Sequence, residues 1–141
     1  MKISAKTEYA CLAVMELAAG YPAGEPVRIR TIAQRHGIPS RFLVQILLQL
    51  KGAGLVASTR GAAGGYRLSK PPEQITLGAV MAVIDGQDEI TSSAGVASPH
   101  TEALQAAWKE IAAAQRERLE GVTLADLVDR AHQLDEPMYY I

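Results

Sequence analysis

The chain has 141 residues, a formal net charge of −1, 48% apolar and 21% charged residues, and one cysteine. These proportions suit one globular core and exclude an intrachain disulfide, a thiolate-held metal cluster and, with no run of about 18 apolar residues, a membrane-spanning helix. The charge is segregated: ten Lys/Arg against three acids make residues 1–70 +7, whereas four Lys/Arg against twelve acids make residues 71–141 −8, so the first half is the one suited to a polyanion unless the split is chance placement on solvated faces.

Lys2 and Lys6 followed by the apolar stretch 9–15 superficially resemble a secretion signal, but Glu16 interrupts it and no cleavage site follows, so the expected location is the cytoplasm. Ala10, Ala13, Val14, Leu17 and Ala18 recur at helical spacing, predicting a helix over 4–19 capped by Ser4 and stopped by Gly20, Pro22 and Gly24. Cys11 lies in this apolar stretch, where an inert thiol is a better reading than a redox sensor.

A short second helix is expected over 29–35, with Ile29, Ile32 and Ala33 facing inward and Gly37 at its end. A third runs over 40–52. Leu43, Ile46, Leu47 and Leu50 share one face, Arg41, Val44, Gln45 and Leu48 the opposite one, and Gln49 and Lys51 the flanks. Residues 55–59 and 66–68 read as two strands around a glycine-rich tip, 60–65. Beyond Pro71 and Pro72, Thr76 caps a fourth helix over 77–84, and 85–99 reads as a loop. A long amphipathic helix over 100–119 carries the stripe Leu104, Trp108, Ile111 and Leu119. Thr123 and Asp126 open a last helix over 123–134 in the manner of a capping box.

This order predicts a mainly α fold: a winged helix-turn-helix of three helices and a two-stranded wing over residues 1–75, with C-terminal dimerisation helices over 76–141. A helix fits the major groove with its N-terminal residues on base edges. Here those residues are Ser40, Arg41 and Gln45, with Arg suited to guanine, Gln to adenine, and Val44 to a thymine methyl. Thr59 and Arg60 lead the wing tip, where small residues admit backbone N–H groups to phosphate and Arg60 suits a narrow minor groove. Arg28, Arg30 and Thr31 suit phosphate; each arginine alone reads equally well as a surface solubiliser. The glycines of 61–65 have neither the spacing nor the lysine of a nucleotide-binding loop.

The chain resembles the Rrf-two family of bacterial winged-helix regulators. The resemblance rests on Met1-Lys2-Ile3-Ser4, Tyr9-Ala10, Ile32-Ala33, Gly37-Ile38, the stretches 42–47 and 50–56, above all 60–68, and Ile75-Thr76-Leu77-Gly78. It is specific over residues 1–85 and architectural afterwards. It implies a base-reading region at Arg41, Phe42, Val44 and Gln45, a wing aimed at the minor groove through Arg60 with Gly61, Gly64 and Arg67 beside it, and a homodimer joined through the long helix. Val44 stands where some relatives place an acidic, specificity-determining residue, so their operator is not expected here. Cluster-binding members carry three cysteines between the fourth and fifth helices; residues 90–100 contain none. Glu8 and His100 fall where relatives sometimes supply a non-cysteine ligand and cannot hold a cluster alone, so no cofactor and no metal are expected.

The expected partners are double-stranded DNA, a second copy of the chain through Leu104, Trp108, Ile111 and Leu119, and an unidentified effector, a small molecule or a protein. The expected activity is repression at a pseudo-palindromic promoter site. A winged-helix protein–protein module is the alternative. An enzyme is not expected: His36, His100 and His132 are scattered, with no catalytic arrangement around them.

Overall fold

The computed structural model describes residues 1–86 and 89–135. Residues 87–88 of the expected loop and 136–141 of the expected C-terminal segment lie outside the described residues. α1 (Ala5–Ala19) starts at Ser4, whose hydroxyl accepts the Thr7 N–H at 3.1 Å. Its Ala10, Ala13, Val14, Leu17 and Ala18 are buried, making α1 the helix around which the others assemble. A short 3₁₀ turn, Tyr21–Ala23, follows.

α2 (Ile29–His36) ends at Gly37, whose φ of +64° is a left-handed conformation that costs glycine nothing sterically. α3 (Ser40–Gly52) begins directly after Pro39 and buries Leu43, Ile46, Leu47 and Leu50 completely. β1 (Val56–Thr59) and β2 (Gly65–Leu68) pair antiparallel, from Val56 opposite Leu68 to Thr59 opposite Gly65. The buried Val56–Leu68 pair fixes the hairpin to the core. The sequence placed both strands within a residue or two of these bounds. It missed a bridge on the other edge of β2, where Val27 and Tyr66 exchange two backbone hydrogen bonds of 2.8 Å. A one-residue bridge leaves no alternation to read.

A 3₁₀ turn, Pro72–Gln74, leads to α4 (Leu77–Asp85), capped by Thr76, and α5 (Pro99–Glu120) is capped by Ser98. α6 (Leu124–Asp135) opens with a reciprocal cap, Thr123 N–H to Asp126 Oδ2 at 3.0 Å and Asp126 N–H to Thr123 Oγ1 at 3.1 Å. Two backbone bonds, Leu77 N–H to Val122 O at 2.8 Å and Leu124 N–H to Ile75 O at 2.9 Å, bring the start of α6 beside that of α4. Val80 and Leu124 are fully buried in the same core as α1 and α3. α5 has no buried residue and touches the rest of the chain chiefly through α4. Three helices followed by a β-hairpin, with α2 and α3 joined by the turn at Gly37, form a winged helix-turn-helix.

Candidate nucleic-acid interface

The buried face of α3 fixes what its other face presents. Ser40, Arg41, Val44, Gln45 and Leu48 are all exposed. Phe42 is only partly so: its ring packs on Tyr9 of α1, with centroids 5.9 Å apart and planes 46° to each other. The Arg41 guanidinium carbon lies 5.1 Å from the same ring's centroid. Phe42 therefore supports Arg41 from the side as well as lying beside the exposed face. The sequence held no sign of the Tyr9–Phe42 contact, which joins residues far apart in the chain.

At the wing tip Thr59, Arg60 and Gly61 are exposed, and so is Arg67 on β2. Gly64 is buried. Its N–H donates to Gly61 O at 3.0 Å, and a Cβ there would collide with the Thr59 carbonyl oxygen, so this glycine closes the turn. The Lys51 ammonium donates to Ser58 Oγ at 2.7 Å, tying the last turn of α3 to the first wing strand. The Val27–Tyr66 bridge ties the other wing edge to the segment entering α2, where Arg28 and Arg30 are exposed and Thr31 is half-buried. The structure thus joins α2, α3 and the wing through direct contacts.

The electrostatics separate these arginines from Arg35. Among the described residues the ion pairs are Glu16 with Arg35 at 2.6 Å and Glu16 with His36 at 2.9 Å. Arg28, Arg30, Arg41, Arg60 and Arg67 have no carboxylate partner among the described residues. The helix N-termini differ in the same sense. Ser4, Thr76 and Ser98 cap α1, α4 and α5 with side-chain oxygens, whereas α2 begins at Arg28 and α3 at Pro39 without a side-chain cap. Their leading N–H groups can meet anionic oxygens instead.

Elsewhere, Leu104, Trp108 and Ile111 are 49%, 49% and 64% exposed on α5. Leu119 is half-buried and lines a groove of about 570 Å³ against Gly78 and Met81 of α4. The residues present do not fit a thiolate-held cluster. Cys11 sits inside α1, its pKa pushed from 9.0 to about 11 by burial and then by the nearby Asp85 and Glu8 carboxylates. Residues 89–98 offer no cysteine, and no trio of His, Cys, Asp or Glu among the described residues is placed to hold a metal. No described helix is long and apolar enough to cross a membrane.

Residues 3–130 match the family model Rrf2, described as an iron-dependent transcriptional regulator. The chain is 36% identical to the transcriptional regulator CymR of Bacillus subtilis over the full length of both. It is 34% identical to the transcriptional regulator IscR of Aliivibrio salmonicida, covering 91% of this chain and 77% of that protein. The solved structure of B. subtilis CymR, called there the global cysteine regulator, superposes with a TM-score of 0.79 at 34% identity, covering 92% of this chain and 98% of that one. The T. potens IscR structure gives 0.79 at 31% identity, covering 99% and 97%. The chain belongs to the Rrf2 family of winged helix-turn-helix, DNA-binding transcriptional regulators, and not to an enzyme family.

Proposed function

We propose that the protein binds a pseudo-palindromic promoter site as a homodimer, in the cytoplasm and without an iron–sulfur cluster, and represses transcription by occupying that site. The observation that carries this reading is the exposed set Arg28, Arg41 and Arg60, without carboxylate partners among the described residues and set on three elements that Lys51–Ser58 and Val27–Tyr66 hold together. In this reading residues 1–75 meet DNA and residues 76–141 pair with a second copy. Ser40, Arg41, Val44 and Gln45 face base edges, with Phe42 beneath Arg41. Arg60 enters the minor groove, and Arg28, Arg30, Thr31, Arg67 and the Gly61 backbone face phosphates, with Gly64 shaping the turn. The stripe Leu104, Trp108 and Ile111 meets its symmetry mate, with Leu119 supporting it from the α4 side. An effector, small molecule or protein, would act through the acidic second half. Footprinting of the purified protein on genomic fragments tests the proposal: protected, two-fold symmetric sites in promoters are expected, and no protection at moderate salt overturns it.

A further inference from the structure

On the face of α3 that the core leaves free, two of the four central side chains are apolar: Val44 is 43% exposed and Leu48 56%. Leu48 is no edge residue. Seven residues at about 100° each bring it to within about 20° of Arg41 around the helix, nearly opposite the buried Leu43, Ile46, Leu47 and Leu50. It projects beside Val44 and Gln45, two turns after Arg41 and about one turn before Lys51, whose contact with Ser58 fixes the wing. An aliphatic side chain there gains nothing from water or from phosphate. The thymine 5-methyl is the apolar group that base-pair edges offer in the major groove. Arg41, on the same face and without a carboxylate partner among the described residues, draws that surface toward a polyanion rather than an apolar protein face.

We propose that Leu48, together with Val44, is a specificity-determining residue that packs against thymine 5-methyl groups. This rests on the DNA-binding reading above. Leu48 lies about 10 Å along the helix axis from Arg41, too far for both to meet one base pair, so the half-site carries a thymine at a different position from the base that Arg41 reads.

The test is selection of a binding duplex from random sequence with the full-length protein, followed by single replacement of each thymine by deoxyuridine, which deletes only the methyl group. At the Leu48 position the replacement is expected to weaken wild-type binding about fourfold, the weight of one buried carbon. Leu48→Ala should lose that sensitivity while retaining its melting temperature, because the side chain is exposed. Indifference to deoxyuridine throughout the half-site overturns the proposal. So does an unaltered methyl effect in L48A, or a shift by L48A in dimer mass instead. Failure to enrich or bind any duplex overturns the DNA-binding reading with it, whereas enrichment without a methyl effect overturns only the role of Leu48.

Discussion

The Arg41 guanidinium carbon lies 5.1 Å from the centroid of the Phe42 ring, which rests on Tyr9 at 5.9 Å. A surface arginine is ordinarily free to sample many rotamers. A ring face beneath it reduces what it loses on ordering, at about 0.5–1 kcal/mol for an exposed cation–π pair. Phe42→Leu keeps bulk and removes the ring. Operator affinity should fall about two- to fivefold, with little change in affinity for non-specific duplex. Equal loss on both duplexes, measured by anisotropy titration, would show that Phe42 does not position a base-reading group.

Arg60 and Arg35 are both exposed, but among the described residues only Arg35 has a carboxylate partner, Glu16, at 2.6 Å. Each phosphate charge that a bound cation neutralises, from the groove or from the backbone side, contributes about 0.9 to the slope of log affinity against log salt. Arg60→Ala should weaken binding and lower that slope by about 1 per subunit, whereas Arg35→Ala should leave it unchanged. A slope altered by R35A and not by R60A would move the contact surface to the α1 side of the helix pair.

Trp108 is the only tryptophan, and it is half-exposed on α5 beside Ile111. Burial against a second copy would make its fluorescence report association directly. Dilution should shift the emission to the red in step with loss of dimer mass by sedimentation. Ile111→Asp should show the red-shifted spectrum at all concentrations, because a charge on a desolvated face opposes pairing strongly. Emission that is constant across dilution while the dimer dissociates would place the interface elsewhere.

Gly61 and Gly65 both have positive φ, +101° and +150°, but only Gly65 is also hemmed in. A Cβ on Gly65 would stand 2.5 Å from the Val27 carbonyl oxygen, inside the bridge that holds the wing to α2. Gly61→Ala meets open space and should cost only backbone strain, about 1 kcal/mol. Gly65→Ala should cost about 2 kcal/mol or more, since strain is joined by two displaced hydrogen bonds. Thermal melts of the two variants check the ranking, and equal midpoints would contradict the close approach at Val27.

The helices were legible because Leu43, Ile46, Leu47 and Leu50 on α3, and the caps at Ser4, Thr76 and Thr123, are local patterns that the structure keeps. The exposed face of α3 follows directly, since the core side of a helix defines the other. What was hidden is non-local. The Val27–Tyr66 bridge, the Tyr9–Phe42 contact and the Lys51–Ser58 bond depend on where distant segments dock. Burial of Gly64 belongs to the same class: a flexible tip in sequence is a closed turn once its N–H reaches Gly61 O. Likewise Leu119 shares a helix with Trp108, but packing against α4 half-buries it.

Cys11 gives a prediction whose sign follows from its surroundings. Burial, then the carboxylates of Asp85 and Glu8, disfavour the thiolate and raise the thiol from 9.0 to about 11. At neutral pH the reactive fraction is therefore about a hundredfold below that of a free thiol. Iodoacetamide labelling of the folded protein should rise with a midpoint near 11, and that of the denatured chain with one near 9.0. Because the folded value lies above the unfolded one, the stability the neutral thiol contributes is fully present below about pH 9 and is lost as pH rises toward 11. Cys11→Ala should remove both the labelling and this alkaline component of the melting curve. Fast, stoichiometric labelling at pH 7 would instead mark Cys11 as accessible thiolate and revive its reading as a redox sensor.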